Sequence, residues 1–168
     1  FSFFEYFKKK KIKFLIVFYF FVALGSLTKG PVAILLPGLS VGLFLLLKKQ
    51  LKNVFSYYPI LGIVGVLLVT SPWYINVHLL TDGEWTKGFF IEHNLNRFGS
   101  EMECHGGIFL ITFGYVLLGL LPFSFFIPQA LINSYKERKN NLILFCSCIT
   151  LVFVLFFCIS STKLPNYT

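Results

Sequence analysis

Long runs without charge constrain this chain more than any other feature. Residues 31–47, 57–80, 107–128 and 142–160 contain no Asp, Glu, Lys or Arg, and residues 12–28 contain only Lys13. A helix that crosses a bilayer needs about 20 mostly apolar residues, within a range of about 17–25. Composition points the same way. The chain is 56% hydrophobic, 19% aromatic and only 13% charged, whereas a soluble domain is about 25% charged. These values exclude a disordered chain, a soluble enzyme and a disulfide-stapled secreted module. The expected fold is all-α: a polytopic integral membrane protein with about five transmembrane helices, over 12–28, 31–47, 57–80, 107–128 and 142–160. The first two runs also fit one broken or re-entrant pair around Thr28-Lys29-Gly30-Pro31, because proline removes a backbone donor and restricts the residue before it.

The charges between the runs are sorted by side. Lys8, Lys9, Lys10, Lys11 and Lys13 border the first run, Lys48, Lys49 and Lys52 follow the second, and Lys136, Arg138 and Lys139 separate the last two. Eleven of the fifteen basic residues fall there, with only Glu5 and Glu137 as acids. The alternate segments hold Lys29, Lys87, Arg97 and Lys163 against Asp82, Glu84, Glu92, Glu101 and Glu103. Lys and Arg in short loops mark the cytoplasmic side. The chain therefore reads as a multi-pass protein of the plasma (bacterial inner) membrane. Its net charge of +8 is an orientation signal, with some attraction to anionic membrane lipid, and not a nucleic-acid footprint. The few aromatic residues before the first lysines do not make a signal peptide.

Polar residues collect in three places, all on the extracytoplasmic side of this map: Thr28 to Pro31, the outer loop 81–106, and Ser160 to Tyr167. No charge lies mid-span, which weakens a coupled-transporter reading. In the outer loop Trp85, Phe89, Phe90, Ile91, Leu95 and Phe98 recur at helical spacing among Glu84, Glu92, His93 and Arg97. That pattern predicts an interfacial amphipathic helix with its aromatic face in the headgroup layer. His93 and Arg97 share a face at four residues' separation. An Arg at headgroup depth, with Lys29 and Lys163 on the same side, suits a lipid phosphate; snorkelling of Arg97, or its pairing with Glu92 or Glu101, is the alternative. His78, Cys104 and His105 lack zinc-like spacing, so no metal site is expected. No cofactor is called for, and a divalent metal requirement stays open. Cys146, Cys148 and Cys158 in the last run read as small apolar packers.

Three segments together resemble a known family. They are Leu27-Thr28-Lys29-Gly30-Pro31-Val32-Ala33; Pro72-Trp73-Tyr74 followed by Phe89-Phe90-Ile91-Glu92-His93-Asn94-Leu95-Asn96-Arg97-Phe98; and Thr162-Lys163-Leu164-Pro165-Asn166-Tyr167. Their order and spacing are similar to the middle of bacterial GT-C glycosyltransferases of the lipid A aminoarabinose transferase and protein O-mannosyltransferase kind. The resemblance implies a membrane enzyme that takes a sugar from a polyprenyl-phosphate carrier and passes it to an extracytoplasmic acceptor: lipid A, another envelope glycan or a protein. It implies that Lys29 and Arg97 hold the carrier phosphate, that Glu92 and His93 shape the pocket or orient Arg97, and that Lys163 contacts phosphate or acceptor. Family members carry their catalytic acid in an earlier outer loop, so the chain reads as an internal fragment, inactive alone. A lipid-linked sugar flippase or transporter, or a non-catalytic membrane subunit, are the competing readings.

Overall fold

The computed structural model describes residues 1–91, 114 and 117–159. Among them every regular element is helical. In chain order these are α1 (Ser2–Lys9), α2 (Ile12–Lys29), α3 (Val32–Leu47), a 3-10 turn (Leu51–Tyr57), α4 (Pro59–Leu80), α5 (Glu84–Lys87), a 3-10 turn (Phe123–Phe126), α6 (Ile127–Lys136) and α7 (Asn141–Ile159). Among the described residues, three stretches are long and apolar enough to cross a membrane: Ile12–Lys29, Val54–Leu80 and Asn141–Ile159; Val32–Leu47 is apolar but shorter. Their outer faces carry Ile16, Leu61 and Leu68, each more than 60% exposed. Such surfaces suit lipid, where backbone groups must pair within the helix. Of the expected run 107–128, residues 114 and 117–128 are described: helix at 114 and over 117–119, a turn over 120–122, the 3-10 turn Phe123–Phe126 and the first turn of α6.

The chain divides into two compact units, Phe1–Asn94 and Leu95–Thr168. In the first, α2 packs against α1, α3 and α4. Close packing needs small residues where helices meet, and α2 meets its neighbours through them. A Cβ at Gly25 would lie 3.2 Å from the Cβ of Ala33, and one at Gly62 would fall inside the ring of Tyr19. Val22, Ala23 and Val66 form the buried centre, with Phe18, Tyr19 and Ile34 against it. The buried hydroxyls of Ser40 and Thr70 are satisfied within their own helices: Ser40 donates to the Leu36 carbonyl (2.8 Å) and Thr70 to that of Val66 (3.0 Å).

One element was not expected from sequence. Residues 2–9 form an amphipathic helix that buries Phe3, Phe4 and Tyr6. Phe3 meets Phe18 of α2 at 5.7 Å between ring centres, and Phe7 meets Phe44 of α3 at 5.0 Å. Tyr57, in the turn before α4, receives Phe3 at 5.2 Å and Tyr6 at 5.6 Å. The Tyr6 hydroxyl donates to the Ser56 carbonyl at 3.0 Å. Lys10 ends the helix with its ammonium 4.8 Å from the Tyr57 ring centre and 5.3 Å from that of Phe7. Cation–ring attraction of this kind is worth about 0.5–2 kcal/mol. Burial raises the Tyr6 hydroxyl pKa, and the neighbouring tyrosines act in the same direction.

In the second unit, Pro128 lies in the first turn of α6, where a missing N–H is harmless. The helix therefore continues to Lys136. The Asn140 side chain accepts the Leu142 N–H at 3.0 Å and so starts α7. Cys148 and Cys158 are buried in α7, while Cys146 is exposed.

Candidate functional site

One end of the first unit begins at the corner between α2 and α3. Gly30 takes φ 71° and ψ −151°, a backbone region that side chains with a Cβ avoid. Its N–H returns to the Ser26 carbonyl at 2.8 Å, and Pro31 caps α3. Two separate helices thus meet at a tight corner, and Lys29 is the last residue of α2, exposed there. A cation at a helix C-terminus is favoured by the helix dipole.

The Tyr74 hydroxyl of α4 donates to the same Ser26 carbonyl at 2.6 Å. The ring of Tyr74 lies 5.3 Å from Phe90, 6.1 Å from Phe89 and 6.1 Å from Trp85. Trp85 stacks on Phe89 at 4.5 Å and meets Trp73 edge-on at 4.8 Å. Beneath this aromatic wall the chain reverses at Asp82 and Gly83, both at positive φ. His78 and Thr86 are hydrogen-bonded at 3.0 Å across the reversal, so His78 has a local structural partner. α5 continues into a π-type turn over 88–91. Turns of this kind recur at functional sites.

Of the residues singled out from sequence, Lys29 stands on the corner. Glu92, His93, Arg97 and Lys163 lie outside the described residues, as does the rest of the expected interfacial helix beyond Ile91. The structure brings together three stretches distant in sequence: the Thr28–Pro31 corner, Pro72–Tyr74, and Trp85–Ile91, which leads directly to Glu92. Tyr74 joins them, a role that sequence reasoning missed. The available signal was general: a tyrosine in an apolar helix must find an acceptor for its hydroxyl. A lysine on a fixed corner beside an aromatic wall can hold an anionic headgroup whose chain remains in the membrane.

Helices of this length and composition define a multi-pass membrane protein. No protein-family model matches the chain. Over 145 residues, 86% of its length, it is 31% identical to the undecaprenyl phosphate-α-4-amino-4-deoxy-L-arabinose arabinosyl transferase of Photorhabdus laumondii. It is 33% identical to that of Pectobacterium atrosepticum over the same length. Its fold superposes on ArnT from Cupriavidus metallidurans bound to undecaprenyl phosphate with a TM-score of 0.79 and 26% identity, covering 92% of this chain and 28% of that one. The chain spans about a quarter of the length of these relatives. The resemblance to GT-C glycosyltransferases is thereby borne out: the chain is a homologue of one segment of the aminoarabinose transferases.

Proposed function

We propose that this chain is the carrier-phosphate segment of a membrane glycosyltransferase. The donor is a sugar on a polyprenyl phosphate, of the 4-amino-4-deoxy-L-arabinose type that the relatives' names carry. The acceptor is extracytoplasmic: lipid A, another envelope glycan or a protein. In the transfer the bond between the sugar's anomeric carbon and the phosphate oxygen breaks, an acceptor oxygen bonds that carbon, and polyprenyl phosphate departs with the bonding electrons; a hydroxyl acceptor gives its proton to the acidic residue that the family carries in an earlier outer loop. Lys29 and Arg97 neutralise the charge that grows on the departing phosphate, which lowers the barrier more than it strengthens donor binding. Glu92 and His93 orient Arg97, and Lys163 contacts phosphate or acceptor. Five spans in the inner membrane place these residues on the outer side, with an interfacial helix from Trp85 to Phe98.

The observation that carries this reading is the hydrogen bond from Tyr74 to Ser26, which holds the Lys29 corner beside the aromatic wall leading to Glu92. Binding of undecaprenyl phosphate to the purified chain in nanodiscs tests it. Lys29→Ala and Arg97→Ala are each expected to weaken binding about tenfold at low salt, and less at high salt where exposed charges are screened. Binding unchanged in both variants would overturn the proposal in favour of a non-catalytic subunit.

A further inference from the structure

The opposite end of the first unit carries a charge that helix formation does not explain. Docking of α1 on Ser56 and Tyr57 and of Phe7 on Phe44 brings two lysine groups to one end: Lys8, Lys9, Lys10, Lys11 and Lys13, and Lys48, Lys49 and Lys52. Glu5 is the single acid in these stretches, and it is already paired with Lys9.

Lys8 and Lys9 in the last turn of α1, and Lys48 at the C-cap of α3, suit the negative ends of their helices. The others do not. Lys11 is the N-cap of α2 and Lys13 lies in its first turn, which has no acid, although helix starts favour acids. Lys10 and Lys49 take φ of 54° and 56°, where glycine is the cheaper choice. Lys11 and Lys13 thus stand where the helix start favours acids, and Lys49 where glycine is cheaper; an anion outside the chain would complement these three, while Lys10, the C-cap of α1, already faces Tyr57.

Around them Leu46, Leu47, Leu51, Phe55 and Tyr58 are exposed. An apolar rim around a basic patch matches a headgroup with its acyl chains better than a soluble anion. We infer that this end is a docking surface for anionic phospholipid, formed only when α1 seats against the turn before α4. The surface is distinct from the Lys29 corner and does not depend on the transferase reading.

Titration of phosphatidylglycerol or phosphatidylcholine into the purified chain in neutral detergent, read by native mass spectrometry, tests the inference. Phosphatidylglycerol is expected to bind at least about tenfold more tightly than phosphatidylcholine, and 0.5 M salt should remove most of the difference. The triple variants Lys8→Gln/Lys11→Gln/Lys13→Gln and Lys48→Gln/Lys49→Gln/Lys52→Gln should each lose at least roughly tenfold, while Lys87→Gln should lose nothing. Should a triple variant fail to fold, Lys11→Gln and Lys49→Gln alone are expected to lose severalfold. Equal affinity for the two lipids would overturn the inference. So would an equal loss in Lys87→Gln, or competition by soluble glycerol phosphate at the lipid's own concentration.

Discussion

Tyr74 and Gly30 donate to one acceptor, the carbonyl oxygen of Ser26, at 2.6 Å and 2.8 Å. That oxygen lies in the last turn of α2, so a residue of α4 fixes the helix end that bears Lys29. Tyr74→Phe removes the hydroxyl and keeps the ring against Trp85 and Phe90. One lost hydrogen bond is worth about 0.5–1.5 kcal/mol, which corresponds to a fall in Tm of about 2–4 °C per kcal/mol for a chain of this size. Undecaprenyl phosphate binding should weaken severalfold as the corner loosens, and Tyr74→Ala should weaken it further. A Tyr74→Phe variant with unchanged Tm and unchanged binding would show that the bond does not position the corner.

Gly62→Ala should destabilise the first unit by about 1–3 kcal/mol through overpacking. Its new Cβ would occupy the Tyr19 ring and displace the hydroxyl that donates to the Tyr57 carbonyl at 3.0 Å. Gly65, one turn along the same helix, has nothing within 4 Å of a built Cβ. Gly65→Ala should therefore be neutral, or stabilising by about 0.5–1 kcal/mol. Thermal unfolding of the pair in one detergent separates a contact effect from a general glycine effect.

Gly30→Ala tests the corner by another route. Its φ of 71° with ψ of −151° costs any residue with a Cβ about 1–3 kcal/mol. Gly38→Ala, where a Cβ meets nothing, is the matched control. The first variant should lower Tm and weaken undecaprenyl phosphate binding; the second should do neither.

High pH should release α1. Burial raises the pKa of Tyr6 above its ordinary value of 10.0 in the folded chain. A group whose pKa is raised by folding adds stability below its unfolded pKa, and that stability is lost as pH rises through the folded value. Stability should therefore decline above about pH 10. Tyr6→Phe should be less stable at neutral pH by about 1 kcal/mol, for loss of the bond to Ser56, and should decline less steeply on alkalinisation. Parallel slopes for the two proteins between pH 9 and 11 would count against Tyr6 as the group responsible.

The helical membrane class is visible in the sequence because charge-free runs must pair their backbone internally whatever their neighbours do. Lys29 is visible because Thr28-Lys29-Gly30-Pro31 combines a polar corner with two helix-breaking residues. Other features depend on contacts that sequence spacing does not carry. α1 is a helix of eight residues, too short to persist alone, and it gains its seat from Phe18, Phe44 and Tyr57. The role of Tyr74 rests on an acceptor 48 positions earlier, and no local pattern announces that pairing. Pro128 closes an apolar run in the sequence and stands in the first turn of a helix in the structure.

Tyr19 and Tyr74 fasten the same two helices at different depths. Toward one end of the pair the Tyr19 ring is lodged on Gly62 and its hydroxyl is tied to Tyr57; toward the other, Tyr74 is tied to Ser26. Two rivets along a pair of rods prevent both sliding and hinging, so α2 and α4 behave as one stiff plank. Moving a sugar across the bilayer by rocking these helices against each other would mean shearing both fastenings. A plank of fixed length instead suits a part that stands still, as the proposed carrier-phosphate site requires.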